Sequence, residues 1–298
     1  MNTFEHIFPE FRHVMALSDA ERIRFMETPR WIGYPKAQSV LQTLEKLFNS
    51  SSEEKRKRNL LLIGDPANGK TTLIKRFYEK HGQGYVEENS TPIKPVILAE
   101  SPPKASEKEL YYHILERFFA PYRFGDPTAK LRRQVVHLFH ACKVRMLIID
   151  EFHSLLEGTA RQQREVMNCV KFLCNELKVP IVAVGTRNVI HALHTDPQHA
   201  SRFDTATLPL WEAGKEFQSL LKGFETVLPL KKPSGLSAPE SASLLHTISG
   251  GNIGDLHTVL VECAEEAILT GEEHITLEII KGKRKWQRLS NGIRELPL

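Results

Sequence analysis

The chain has 298 residues, of which 41% are hydrophobic and 26% charged, and it carries a formal charge of +4. That is long enough for one large α/β domain with a smaller companion, and the balance is that of an ordinary soluble globular protein. So small a net charge excludes nucleic-acid binding by bulk charge, and any such function must rest on local clusters.

Residues 1–29 read as a helical lead-in. Charged groups interrupt its apolar ones, so no secretory leader is expected. Ser18-Asp19-Ala20-Glu21 has the form of a capped helix start, and Pro29 ends that helix. Arg30-Trp31-Ile32-Gly33-Tyr34-Pro35 is a compact turn, followed by a helix with Val40, Leu41, Leu44, Leu47 and Phe48 at helical spacing. A serine-rich loop and the basic run Lys55 to Arg58 come before the apolar strand Leu60 to Ile63. A helix carrying Leu73, Ile74, Phe77 and Tyr78 comes next, then a strand at Val96 to Ala99 and helices at 106–119 and 130–142. Strands at 146–149 and 181–184 enclose a long helix at 161–177, and a fifth strand ends at Leu208. Apolar strands alternating with helices predict a parallel sheet covered on both faces. From Glu216 onward only helical segments follow. The expected division is therefore a lead-in over 1–29, a nucleotide-binding α/β core over 30–212 and an α-helical lid with a basic tail over 213–298. Cys142, Cys169, Cys174 and Cys263 form no C-x-x-C pair, which predicts free thiols and a cytoplasmic protein. No run approaches a membrane-spanning length, and no membrane partner is expected.

Gly64-Asp65-Pro66-Ala67-Asn68-Gly69-Lys70-Thr71 fits the phosphate-loop pattern G-x-x-x-x-G-K-[ST], between a strand and a helix as that motif requires. Its glycines let the backbone curl around phosphates, and the helix N-terminus that opens at Lys70, Thr71 and Thr72 adds positive potential. Lys70 would reach the β- and γ-phosphates of ATP, and the Thr71 hydroxyl would ligate Mg²⁺. Asp150 and Glu151 end a buried strand about 80 residues later, where open α/β sheets bind ligands. Asp150 would hold Mg²⁺, and Glu151 would orient or deprotonate the attacking water. Gly185-Thr186 ends the next strand, where Thr186 could touch the γ-phosphate or simply form a turn; Arg187 and Asn188 are weaker candidates for that post. Arg202 could complete a neighbouring subunit's site or pair with Asp204 at the surface. Arg30, Trp31, Ile32 and Tyr34 could wall an adenine or staple the following helix. His137 and His140, like His191 and His194, lie three apart, but without further converging ligands they are read as solvated or packed.

Taken together these landmarks resemble the TniB/TnsC-like AAA+ ATPases of transposition, a likeness that covers most of the chain. The family-specific parts are Arg30-Trp31-Ile32-Gly33-Tyr34-Pro35 and Gly250-Gly251-Asn252-Ile253-Gly254-Asp255-Leu256. The resemblance implies a P-loop AAA+ core, with a parallel five-stranded sheet flanked by helices, followed by a small helical lid. It implies an ATPase that oligomerises on duplex DNA, as a head-to-tail helical filament or ring, and engages a transposase. Thr186 would then be a γ-phosphate sensor and Arg202 an arginine finger acting in trans, with Gly254 and Asp255 of the lid beside the nucleotide. Many such lids carry an arginine where this chain has Asn252 and Asp255, which implies slow hydrolysis. Loops that face the channel of AAA+ assemblies correspond here to Pro102-Pro103-Lys104 and to the segment from Thr128 to Arg133. Lys104, Thr128, Lys130 and Arg132 are the candidate phosphate contacts, giving sequence-independent, salt-sensitive binding. The basic runs Lys55 to Arg58 and Lys281 to Trp286 are further candidates. Two other readings stay open: a replication-initiator or helicase-loader ATPase, and a nucleotide-switched protein-interaction module that does not touch DNA.

Overall fold

Runs of consecutive apolar residues build the centre of this protein, described here from a computed structural model over residues 4–28, 30–50, 58–88, 91–190 and 201–283. Pro29, the run Lys55 to Lys57, His191, His194 and the tail from Arg284 through Trp286 lie outside the described residues. The strands are β1 (Asn59–Gly64), β2 (Tyr85–Val86), β3 (Pro92–Ile93), β4 (Val96–Glu100), β5 (Met146–Asp150), β6 (Ile181–Gly185) and β7 (Phe203–Leu208). The described helices are α1 (Asp19–Glu27), α2 (Pro35–Phe48), α3 (Lys70–His81), α4 (Glu107–Arg117), α5 (Thr128–Ala141), α6 (Ala160–Glu176), α7 (Lys215–Glu225), α8 (Pro239–Ser249), α9 (Ile253–Leu269) and α10 (Leu277–Gly282). Two 3₁₀ turns, Pro9–Ala16 and Phe152–Leu156, complete the set.

Packing divides the chain into two compact units. A sheet unit takes Pro35–Pro66 and Lys70–Leu208. A helical unit takes the residues up to Tyr34, Ala67–Gly69 and the residues from Pro209 on.

The sheet unit holds five strands, parallel as the apolar pattern predicts, in the order β4-β5-β6-β1-β7. Every residue of β1, β5 and β6 is buried, which accounts for their unbroken apolar sequence. Leu61, Ile63, Leu147, Ile149 and Ala183 share a core with Tyr111, Leu131 and Val170 from α4, α5 and α6. The alternate residues Leu60, Leu62, Ile148, Val182 and Val184 point to the opposite face and are equally buried. Asn59 is the polar exception at the start of β1. Its side chain accepts from Ile181 N–H at 2.9 Å and donates to Arg202 C=O at 3.1 Å, pinning three strands at one rim. The edge strand β7 exposes Asp204 and Thr205, which discourages pairing with another chain. The small antiparallel pair β2–β3 has no counterpart in the sequence reading, because two-residue strands carry no periodicity.

The helical unit buries Phe217, Leu221, Leu245, Leu256, Leu260 and Cys263 in one core, to which α1 contributes Met26. The Glu21 carboxylate accepts from the Ser18 N–H (3.0 Å) and hydroxyl (2.6 Å), the capping box that the sequence predicts. Arg22, next in sequence, is 1% exposed. It donates to both oxygens of Glu273 (3.0 and 2.5 Å) and to Pro229 C=O (2.6 Å), fastening α1 to the segments around α9.

Candidate functional site

In the sheet unit, register sets the site. Ile63 pairs with Gly185 and Ile149 with Ala183, so Gly64, Glu151 and Thr186 all reach the C-terminal rim together. β6 lies between β1 and β5, which spaces the phosphate loop from Asp150 by two strand widths, about 10 Å. The first turn of α3 bridges that gap: Thr71 Oγ1 donates to Asp150 Oδ2 at 2.9 Å. Lys70, 8% exposed, donates from Nζ to Gly64 C=O (3.0 Å) and Asp65 C=O (2.8 Å). Burial pulls its pKa below the usual lysine range, opposed by the nearby charges of Glu151, Asp150 and Asp65. The structure thus brings Lys70, Thr71, Asp150 and Glu151 to one place.

Glu151 has φ 52 and ψ 35, in the left-handed region that non-glycine residues rarely occupy. Its N–H is held by Asp150 Oδ1 at 2.9 Å. Its carboxylate lies 3.2 Å from His153 Nδ1, within ion-pair reach but not aligned for a hydrogen bond. His153 is a site residue that the motif pattern does not reveal, because only the 3₁₀ turn after β5 folds it back. Thr186 is half-buried on the same rim, and its neighbour Arg187 pairs with Asp65 of the phosphate loop at 3.5 Å.

Arg202 lies at the other rim. Asn59 is opposite Phe203 and Gly64 opposite Leu208, so Arg202 stands a full six-residue strand, roughly 20 Å, from the level of Gly64. It donates to Asn175 Oδ1 at 2.7 Å, and its Nε is buried without an acceptor. The alternative pairing with Asp204 is not what forms: Asp204 lies 3.9 Å from Arg58.

In the helical unit, Ala67, Asn68 and Gly69 form the tip of the phosphate loop, with Ala67 and Gly69 at φ 56 and 80. Asn68 Nδ2 donates to Pro209 C=O at 3.0 Å. The first turn of α9 sits against the tip: Gly254 N–H donates to Ala67 C=O at 3.0 Å. A Cβ at Gly254 would fall 2.5 Å from that same oxygen, so only glycine permits the approach. Asn252 caps α9, its Oδ1 accepting from Gly254 N–H (3.0 Å) and Asp255 N–H (3.2 Å). That capping task accounts for asparagine at the position, and Asp255 beside it is buried.

Of the turn before α2, Arg30 stacks over the Phe25 ring (3.3 Å) and donates to Phe25 C=O and Thr28 C=O. Ile32 meets Gly223 of α7, and Tyr34 packs edge-on against Trp211 (4.9 Å between ring centres). Trp31 is half-buried. Arg30 and Ile32 also line a small cleft with Met26, Phe224, His257 and Leu260. Burial, and then the Arg30 charge, push His257 below the ordinary histidine range.

The four DNA candidates differ in freedom. Lys104 is exposed and Thr128, the first residue of α5, is half-buried. Lys130 pairs with Asp126 at 2.8 Å. Arg132 is committed inside the sheet unit: it binds Glu107 at 2.7 Å and lies over the Phe172 ring at 4.7 Å. Among the described residues no group of three or more His, Cys, Asp or Glu converges as a metal cluster, and no helix is long and apolar enough to cross a membrane.

A parallel five-stranded sheet in this order, a phosphate loop after β1, an acidic pair after β5 and a following helical region together define a P-loop AAA+ fold. Solved structures share it. Cdc6p from Pyrobaculum aerophilum superposes with a TM-score of 0.63 at 14% identity, over 92% of this chain and 73% of that one. The Aeropyrum pernix ORC2 protein, solved as ADPNP–ADP complexes, gives 0.60 at 15% identity, over 88% and 70%. The A. pernix ORC1 protein in complex with DNA gives 0.56 at 15%, over 88% and 68%. Identities this low establish a shared fold. No sequence match is found among curated proteins. The model of the bacterial TniB protein family matches residues 22–213, and the chain belongs to that family.

Proposed function

We propose that this TniB-family protein is an ATPase regulator of DNA transposition. It binds ATP, assembles head to tail on duplex DNA and there recruits a transposase. The observation that carries this reading is the split of its chemistry between two rims: Thr71, Asp150 and Glu151 at one, and Arg202 about a strand length away at the other. Arg202 cannot serve its own phosphate loop, but a head-to-tail neighbour could present it to the next subunit's site.

Lys70 and the loop amides bind the β- and γ-phosphates. The Thr71 hydroxyl and the Asp150 carboxylate, 2.9 Å apart, suit Mg²⁺, which takes few protein oxygens and keeps water and phosphate ligands. Bound there, Mg²⁺ would neutralise phosphate charge. Glu151 orients the attacking water and takes its proton, with His153 steadying its carboxylate and Thr186 beside the γ-phosphate position. Asn252 caps α9, whose first turn (Ile253-Gly254-Asp255-Leu256) carries no lysine or arginine, which fits slow turnover. Lys104, with Thr128 and Lys130, supplies backbone contacts to duplex DNA, and Arg132 positions Glu107. The test is duplex binding with ATP, with ADP and with a non-hydrolysable analogue, followed by electron microscopy. ATP-dependent oligomers on DNA are expected; equal binding in all three states, or no oligomer, overturns the reading.

A further inference from the structure

The segment joining α4 to α5 reads Arg117-Phe118-Phe119-Ala120-Pro121-Tyr122-Arg123-Phe124. Phe119 is 89% exposed and Phe124 79%, the highest values among the large apolar side chains of the described residues. Leaving two phenylalanines in water forgoes the burial that normally drives them inward. The loop is nevertheless well anchored. Phe124 C=O accepts from Lys108 Nζ (2.7 Å) and Tyr112 Oη (2.8 Å), and Pro121 C=O accepts from Gln134 Nε2 (3.0 Å). Tyr122 stacks on Tyr112 with ring centres 4.4 Å apart. Phe119 is fixed at φ 55 by its N–H bond to Glu116 C=O. The backbone is strapped down while the two rings stay exposed, Phe124 touching Tyr112 and Tyr122 only edge-on (5.5 and 5.8 Å between ring centres).

Cations lie along the same segment, and Lys94, which donates to Arg117 C=O (2.6 Å), sits against one ring. Lys94 Nζ lies 4.6 Å from the centre of Phe119, and Arg117 and Arg123 are exposed on the segment itself. Of the nearby acids, Asp126 is paired with Lys130 (2.8 Å), and Glu116 accepts from Tyr122 Oη (2.7 Å), which turns it toward the tyrosine. Aromatic faces interleaved with cations fit a polyanion whose bases are free to stack. A duplex keeps its base faces stacked on one another, so the complementary partner is single-stranded nucleic acid. We propose that Phe119 and Phe124, flanked by Arg117, Arg123 and Lys94, form a base-stacking platform for single-stranded nucleic acid. Phe119 stands at the end of α4 and Phe124 beside its first turns, roughly 14 Å apart along the helix, which spans several nucleotides.

The test is fluorescence anisotropy with labelled oligothymidylate on the full chain, across a salt series. Wild-type protein is expected to bind, and Phe119→Ala and Phe124→Ala each to weaken binding roughly tenfold. Phe119→Trp should retain affinity, and Arg117→Ala should lower the salt slope by about one. Duplex affinity should stay at the wild-type level in Phe119→Ala and Phe124→Ala, which separates this surface from the duplex reading. Because both rings are exposed, the alanine variants should melt with the wild type. The proposal is overturned if wild type does not bind the oligonucleotide, or if the alanine variants bind it as wild type does. It is equally overturned if they lose duplex affinity to the same extent, or lose only self-association, which would assign the rings to a protein contact.

Discussion

In the proposed function Lys70, Thr71 and Glu151 divide the work of the site into binding, cation contact and water activation, and substitutions should separate these tasks. Lys70→Ala removes the phosphate contact and should abolish ATP binding by equilibrium dialysis, and with it ATP-dependent assembly on DNA. Glu151→Gln keeps shape but not basicity; binding and assembly should persist while steady-state turnover falls by roughly 10²–10⁴-fold. Unchanged turnover would remove Glu151 from its role. Gly254 offers a backbone test. Its missing Cβ leaves room for Ala67 C=O, so Gly254→Ala should lower stability by about 1–3 kcal/mol in urea unfolding. Gly125→Ala meets nothing within 4 Å and serves as the neutral control.

Among the elements, α1 carries the feature most hidden from sequence. Ser18 and Glu21 announce the start of the helix, yet Arg22 looks like one more solvated charge and is instead buried against Glu273, 251 residues away. No local pattern encodes such a partner. Burial would raise the Glu273 pKa, but hydrogen bonds from Arg22 and Lys231 outweigh it and hold the group at about 2, against 4.5 unperturbed. Since the folded value is the depressed one, its stabilisation is complete above about pH 4.5 and is lost as pH falls through about 2. That amounts to on the order of 3 kcal/mol. Denaturant titrations from pH 6 to pH 2 should show this decline in wild type. Arg22→Ala should already lose roughly 3–5 kcal/mol at pH 7, because a buried carboxylate loses its main partner. The sheet was far more legible. Unbroken apolar runs named β1, β4, β5 and β6 to within a residue or two, and the phosphate loop and Asp150-Glu151 followed from their positions at strand ends. What pattern could not supply was strand order, which places β6 between β1 and β5, and the 3₁₀ turn that brings His153 to Glu151. It also missed that Arg132 is tied to Glu107, since the sequence of a helix start does not show which charges its neighbours absorb.

At the scale of the whole molecule, the parallel sheet would give the proposed assembly a direction. All five strands of the main sheet run from the Arg202 rim to the Thr71–Asp150 rim, so in the proposed assembly a subunit that donates its arginine to one neighbour offers its nucleotide site to another. Head-to-tail contacts of this kind build rings or open helices. If hydrolysis needs Glu151 from one subunit and Arg202 from the next, two inactive variants should complement each other when mixed. Arg202→Ala keeps a complete site without a finger, and Glu151→Gln keeps the finger without the base. Each alone should show little ATPase activity on duplex DNA. Mixed in equal amounts they should recover about a quarter of the wild-type rate, because one interface in four then joins an intact site to an intact arginine. Full activity of Arg202→Ala alone, or no recovery in a mixture that still assembles on DNA, would contradict the account.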